Sequence, residues 1–387
     1  MAILQKPGCR PNNPNFSSGP CTKRPGWTVE VLKNALVGRS HRSMVAQVRL
    51  AEVIDLTREI LEVPSDHHIG IVPASDTGAV EMSLWSLLGE RGVDMVAWER
   101  FGSGWADDVV KQLKLSDVRR LQVPYGELPD LSEIDFDRDV VFTWNGTTSG
   151  VRIPNADFIP DNRAGLTICD ATSAAFAQNL DFLKLDVVTF SWQKVLGSEA
   201  AHGMLILSPR AVERLENYTP TWPMPQIFCM TKDGKLNESI FKGVTINTPS
   251  LLCIEDYLDA LKWAKSLGGL PALRERVNKN FAVLDSFVRQ TPWLEYLAKV
   301  PQTRSNTSVC LTIVDPVITA LNTEAQVSFI KAIVDRLDKE GAAYDIGSYQ
   351  SAPPGLRIWT GITVESSDLE TLTKWLEWAF QVEKAHL

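Results

Sequence analysis

The chain has 387 residues, a formal net charge of −8, 44% hydrophobic and 22% charged residues. That length points to about two domains, and the acidic balance argues against a nucleic-acid binder, which usually carries basic excess. No run approaches the roughly 18 apolar residues of a membrane span, and six cysteines without a Cys-x-x-Cys pair are too sparse for a disulfide scaffold, so a reducing cytoplasm is expected.

Residues 1–26 are rich in Pro, Gly and Asn and read as an extended arm without the apolar stretch of a secretory signal. Apolar residues then recur at helical spacing over Thr28–Leu36 and Met44–Leu61. Ile69–Val72 reads as a strand, Ser75-Asp76-Thr77-Gly78 as a small polar turn, and Ala79–Leu88 as a helix. The order repeats: strand Met95–Trp98, turn Gly102-Ser103-Gly104, helix Trp105–Leu113, then strand Val140–Trp144 ending at Asn145-Gly146-Thr147-Thr148. Leu166–Cys169, Val187–Phe190 and Met204–Leu207 are further strands. Short, continuous apolar strands alternating with helices predict an α/β fold with a mainly parallel sheet covered on both faces. Tyr218–Pro249 is irregular and proline-rich, as functional or interfacial segments often are. Helices are expected over Leu251–Leu267 and Leu273–Gln290, separated by Gly268-Gly269. The remainder, with strands Ser308–Val314 and Leu356–Trp359 and helices Ala325–Lys339 and Leu369–Val382, reads as a smaller α+β domain. The expected division is an arm over 1–26, a large domain over 27–260 and a small domain over 261–387.

Each turn has a plain reading and a chemical one. Ser75–Gly78 is either an ordinary helix cap or a helix start that binds phosphate. Trp105 is either a core tryptophan or a stacking surface for a flat aromatic cofactor. Arg357 suits a surface salt bridge as well as a two-point bond to a carboxylate. A dinucleotide fingerprint is lacking, because Asp107 stands where Gly102-x-Gly104 would need a third glycine. More telling is a pair: Asp170 closes one apolar strand, and 24 positions later Lys194 stands at the exit of the next. Pyridoxal 5′-phosphate (PLP) requires a lysine to form a Schiff base and a carboxylate to keep its pyridine nitrogen protonated. In open α/β sheets ligands gather at the carboxyl ends of strands, where both residues fall.

With these residues in view, the chain resembles the phosphoserine aminotransferases, class V members of the fold-type I PLP enzymes. The matching pieces are Phe16-Ser17-Ser18-Gly19-Pro20, Ser40-His41-Arg42-Ser43, Asp170-Ala171-Thr172-Ser173, Gln193-Lys194, Asn247-Thr248-Pro249 and Gly355-Leu356-Arg357, in the family's order over nearly the whole chain. The resemblance implies a large PLP domain with a seven-stranded type of sheet. It implies that Lys194 holds PLP and shuttles the substrate proton, Asp170 pairs with the pyridine nitrogen, Trp105 stacks on the ring and Thr147 bonds near the ring oxygen. Asp76 and Thr77 would offer backbone groups to the cofactor phosphate, and Gln193 a side chain. Asn247 and Thr248 would reach the cofactor phosphate of a neighbouring subunit in a homodimer with shared active sites. Arg357 resembles the carboxylate clamp, and His41 and Arg42 resemble substrate-anion ligands. No metal is implied.

The chain also departs from the best-known bacterial pattern. Asp76-Thr77 replaces a glycine-rich turn with an arginine, and Gly347-Ser348-Tyr349-Gln350 replaces a segment with a His-Arg pair, so two cationic contacts to a substrate phosphate are missing. Arg39 is a candidate replacement. The expected reaction is amino transfer from L-glutamate to 3-phosphohydroxypyruvate in serine biosynthesis, with the related phosphohydroxybutanoate of pyridoxine biosynthesis as a second acceptor. The alternatives are a serine or alanine–glyoxylate aminotransferase and, more distantly, a non-catalytic binding protein on the same scaffold. A cysteine desulfurase is disfavoured because Cys310 falls within a strand pattern.

Overall fold

The structure, a computed structural model, describes residues 5–387. Helix α1 spans Met44–Leu61, strand β1 His68–Pro73, α2 Ser75–Leu87, β2 Val93–Ala97, α3 Arg100–Asp107, β3 Val118–Gln122 and β4 Asp139–Thr143. Strands β5 (Thr167–Asp170), β6 (Val187–Ser191) and β7 (His202–Leu207) complete a sheet in the order β1-β7-β6-β5-β4-β2-β3. Neighbours are parallel except where β7 runs against β1 and β6. This is the expected mainly parallel, seven-stranded α/β sheet.

Its apolar runs are continuous because alternate residues enter two different cores. Ile69, Ile71, Val96, Val140, Phe142, Cys169, Val188, Met204 and Ile206 face one cluster, packed by α1 and by α5 (Leu251–Ser266). Val72, Met95, Val141, Ile168, Val187, Leu205 and Leu207 face the other, closed by α2, α3 and α4 (Pro209–Asn217). Side chains alternate across a strand, so a strand covered on both faces buries nearly every position, and the few polar residues it holds, such as Asp94 and Thr189, are buried too. The seventh strand, β3, carried no such signal. It lies at the sheet edge, where Arg119, Arg120 and Gln122 are exposed, and charge there discourages edge-to-edge pairing.

Helix α6 (Gly269–Gln290) leads to a three-stranded antiparallel sheet of β8 (Leu294–Tyr296), β9 (Ser308–Ile313) and β10 (Leu356–Trp359), packed by α7 (Thr323–Lys339) and α8 (Ser366–Lys384). The arm ties the two sheets together. The N–H of Asn12 donates to Asp368, the Phe16 carbonyl accepts from Trp359, and the N–H of Cys21 donates to the Gln193 carbonyl, the last at 2.8 Å.

Three local expectations are corrected. Thr28–Leu36 forms only a 3-10 turn over Val29–Leu32 that buries no residue, so its apolar spacing has no core to face. Gly102–Trp105 is not a turn but lies inside α3, because the Glu99 carboxylate accepts from the N–H groups of Phe101 and Gly102 and starts the helix earlier. Ser75–Gly78 is likewise the first turn of α2. The irregular segment holds short elements, including a two-residue hairpin pairing Thr231–Lys232 with Lys235–Leu236. No helix of the described residues is long and apolar enough to cross a membrane.

His202 gives a pH prediction. Its Nε2 accepts from the Ser250 N–H at the start of α5, which requires a neutral ring. Burial holds the ring below the ordinary histidine value of 6.5, at about 4. The folded value lies below the unfolded one, so this stabilisation is complete above about pH 6.5 and is lost as pH falls toward 4. It amounts to roughly 3 kcal/mol. Denaturant unfolding at pH 7 and pH 4.5 is expected to show a smaller loss in His202→Gln than in the parent; equal losses would refute the assignment.

Candidate active site

The two ends of the large sheet treat buried polar groups differently. At the amino ends, Asp94, Asp139 and Asp186 are all but fully buried, and each is matched by arginine: Asp94 by Arg119 and Arg138, Asp139 by Arg214, Asp186 by Arg163 and Arg210. At the carboxyl ends, buried side-chain atoms stand without partners: Asp76 Oδ1, Thr143 Oγ1, Thr172 Oγ1, Ser191 Oγ and Gln193 Oε1. All five residues line one cavity of about 300 Å³. Burying unpaired polar groups is costly, so such a cluster marks a place built for a polar ligand.

Every parallel strand except the edge strand β3 contributes there. β1 delivers Asp76 and Thr77 on α2; β2 delivers Phe101 and Trp105 on α3; β4 delivers Thr143 and Thr147; β5 delivers Asp170; β6 delivers Ser191, Gln193 and Lys194. Asp170 Oδ2 accepts from Trp105 Nε1 at 3.2 Å and its Oδ1 from the Thr172 N–H at 3.0 Å. Lys194 is buried and its Nζ donates to the Ser18 carbonyl at 2.6 Å. Burial holds the amine below its ordinary value; Arg357 adds to that, while Cys21, Asp170 and Glu99 oppose it. The arm therefore reaches the cavity floor. At Gly19, φ is +151° and a Cβ would stand 2.4 Å from Lys194 Nζ, so a side chain there would push the amine from its place.

Helix α2 is unusual in its start. Its cap position is Ala74, which has no side chain to offer, so Ser75, Asp76 and Thr77 are not the ordinary cap that their composition allowed. Among the described residues, the N–H groups of Asp76 and Thr77 have no hydrogen-bond acceptor. Ala74 and Ser75 both hold left-handed backbone, at φ +65° and +56°, a strain that tends to persist at ligand sites. A Cβ on Gly78 would meet the Pro73 carbonyl at 2.1 Å, so glycine lets α2 press onto the end of β1. Free N–H groups at a helix start suit a phosphate.

These features fit PLP as the sequence implies it: a buried amine, a carboxylate, an indole beside that carboxylate, and free donors at a helix start. Seven of the expected residues share the cavity: Asp76, Thr77, Trp105, Thr147, Asp170, Gln193 and Lys194. Arg357 is not on its wall, yet its charge acts on Lys194 and its Nε is enclosed without a partner. The guanidinium carbon lies 5.7 Å from the centre of the Tyr349 ring. His41, Arg42, Asn247 and Thr248 do not line the cavity of their own chain. Asn247 Nδ2 instead donates to the Thr248 carbonyl at 3.2 Å, and Thr248 is exposed. Among the described residues no cluster of metal-ligating side chains occurs.

Two contributors carried no chemical signal in the sequence. Glu99 is buried, caps α3 and accepts from the Thr148 hydroxyl at 2.6 Å; glutamate is not a usual cap residue, so nothing marked it. Ser18-Gly19-Pro20 was legible as a motif but not as the wall behind Lys194. Burial pushes the Cys310 thiol up to about 12, so it is protonated at neutral pH and unsuited to nucleophilic attack.

No protein-family model matches the chain. It is 58% identical over 379 residues to the phosphoserine aminotransferase of Methanosarcina barkeri, covering 98% of this chain and all of the relative. The Methanosarcina mazei phosphoserine aminotransferase is 57% identical over the same share. Among solved structures, a phosphoserine aminotransferase from Cytophaga hutchinsonii superposes with a TM-score of 0.79 at 20% identity, covering 95% of this chain and 98% of the other. The ureidoglycine–glyoxylate aminotransferase of Bacillus subtilis gives 0.78 at 16%, covering 99% and 96%. At such identities the superpositions establish the fold alone.

Proposed function

The chain belongs to the phosphoserine aminotransferase family, and we propose that it transfers the amino group of L-glutamate to 3-phosphohydroxypyruvate, giving O-phospho-L-serine and 2-oxoglutarate, with PLP as its cofactor. The observation that carries this reading is the single cavity in which Lys194, Asp170 and the free N–H groups of α2 come together. PLP supplies an aldehyde that captures amines and a protonated ring that draws electrons from the bond being broken.

The residues have distinct tasks in this proposal. Lys194, its charge disfavoured by burial, holds the cofactor at rest and, once displaced by substrate, moves the proton from the substrate Cα. Asp170 keeps the pyridine nitrogen protonated. Trp105 covers the ring and is itself held by Asp170. Thr147 bonds near the ring oxygen, and Asp76, Thr77 and Gln193 receive the phosphate. Arg357 clamps the substrate α-carboxylate. Arg357→Ala is expected to raise KM for glutamate by about 30- to 1000-fold, the effect of removing one partner of an enclosed charge pair, with a smaller change in kcat. Steady-state kinetics read this split, and an unchanged KM would remove Arg357 from the site.

We extend the proposal to a homodimer. Val37, Met44 and Val48 are 70%, 81% and 60% exposed, an apolar patch beside His41 and Arg42 at the start of α1. The patch supports an interface across which Asn247, Thr248, His41 and Arg42 reach the partner's cofactor and substrate. Sedimentation as a 43.0 kDa monomer at assay concentration would count against it. We also propose the division into arm 1–26, large domain 27–260 and small domain 261–387, with α5 crossing the last junction; limited proteolysis tests it. Six free thiols support a cytoplasmic site, which cell fractionation checks.

The deciding assay compares phosphoserine, serine and alanine as amino donors to 2-oxoglutarate in the PLP-loaded enzyme. A preference for the unphosphorylated acids would replace this reading with that of a serine or alanine–glyoxylate aminotransferase, which the missing cations at Tyr349 and Gln350 favour. The phosphohydroxybutanoate acceptor, proposed for pyridoxine biosynthesis, is a further arm of the same assay.

A further inference from the structure

Only the backbone of Asp76 has a task so far. Its side chain is 7% exposed, on the cavity wall beside the equally buried Asp170. The sheet's other buried aspartates each hold an arginine, but among the described residues Asp76 and Asp170 hold no cation. Two carboxylates side by side in such a place cannot both ionise. Their hydrogen bonds decide which keeps the proton. Asp170 accepts from a backbone N–H and from an indole N–H, and both bonds favour its anion. Asp76 Oδ1 is enclosed with no donor at all.

We propose that Asp76 is a neutral carboxylic acid in the working enzyme and a positioning residue, donating its proton to Asp170 so that the pair presents one negative charge to the cofactor. Of the groups around the pair, the Thr172 and Thr189 hydroxyls are without hydrogen-bond partners and are the two that would favour an ionised Asp76, an influence outweighed by burial and by Asp170; Cys169 adjoins from β5 as a thiol held neutral by burial. Glu99 faces Asp170 from the β2–α3 junction, and burial first, then Asp170, raise its carboxyl above the ordinary range against the hydrogen bonds it accepts. Lys194, the nearby cation, is committed to the Ser18 carbonyl, with Arg357 behind it. Burial first, and then Asp170, raise Asp76 well above the ordinary carboxylate range. A neutral Asp76 also resolves a conflict, since an ionised carboxylate at the start of α2 would repel a phosphate bound there. The consequence for the cofactor rests on the aminotransferase reading; the proton on Asp76 does not.

Infrared spectroscopy reads that proton directly. The full-length enzyme, with PLP and after its removal, is expected to show at pH 7 the carbonyl band of a protonated carboxylic acid. The band should move on ¹³C-aspartate labelling and vanish in Asp76→Asn. Its absence from the parent in either state, or its survival in Asp76→Asn, would overturn the proposal. Asparagine keeps a donor toward Asp170 without adding charge. Asp76→Asn should therefore shift the pH midpoint of the lysine-linked cofactor's visible absorption by less than about 0.5. A shift beyond about one would mean that the parent carries a second charge at this position, which also overturns the proposal. Because the infrared arm includes cofactor-free protein, its failure is distinct from failure of the aminotransferase reading.

Discussion

Lys194→Ala is expected to lower kcat for amino transfer by about 10⁴-fold or more, the upper range that a positioned proton-transfer group supplies. The argument begins with where the amine sits. Its Nζ donates to the Ser18 carbonyl and occupies the space that Gly19 leaves open. The arm that builds this slot is itself fixed: Asp256, nearly fully buried on α5, accepts from Lys23 Nζ at 2.7 Å and Trp27 Nε1 at 2.9 Å. On the proposed reading, truncation removes the group that would hold PLP and move the Cα proton, but it leaves this frame standing. The orphaned Ser18 carbonyl costs roughly 1–3 kcal/mol, short of a typical domain's stability. Lys194→Arg separates chemistry from packing. It keeps a donor and a charge, yet a guanidinium does not lose its proton in proteins, so it should be as inactive as the alanine variant. A small primary amine added to Lys194→Ala should restore part of the single-turnover rate. Either variant retaining more than about a hundredth of parental kcat would remove Lys194 from the proton path.

The sheet was legible where burial is two-sided and silent where it is not. Strands such as Val187–Phe190 are apolar at all but one position because their residues feed two cores, whereas β3 is an edge strand whose exposed arginines look like loop. Asp170 and Lys194 were legible for a related reason: a lone charge at the end of an apolar run has few purely structural explanations. The turns were harder. Gly102–Trp105 is helical because of Glu99, and Ser75–Gly78 is an uncapped helix start because of Ala74; in each the deciding residue is one that propensity does not flag. Asp76 shows a further limit. A sequence gives a residue's type but not its protonation, which here depends on a neighbour 94 positions away in the chain.

Asp170→Asn is expected to reduce kcat about 10²- to 10³-fold, the scale seen when one preorganised electrostatic partner is removed from a reaction centre. Asparagine matches aspartate in shape but not in bonding. Asp170 accepts on both oxygens, from Thr172 N–H and Trp105 Nε1. An asparagine there has one carbonyl, so its amide N–H₂ must face one of these donors and the indole or the backbone loses its partner. On the proposed reading, the change also removes the charge that would hold the pyridine nitrogen protonated, and with it the ring's power to draw electrons. These two losses can be told apart. An N-methylated PLP analogue is permanently cationic and needs no carboxylate to keep it so. If charge is the main contribution, the analogue should recover at least about tenfold of the lost rate in Asp170→Asn and none in the parent. If geometry dominates, the analogue should do nothing, while the tryptophan fluorescence of Trp105 should still change. Since the parent pair carries a single negative charge, Asp170→Asn in the Asp76 background leaves a proton on Asp76 with no anion to receive it. The double variant Asp76→Asn/Asp170→Asn should then lose little beyond Asp170→Asn alone, because residues in one hydrogen-bonded unit are not additive. Additive losses would mean that the two aspartates act separately.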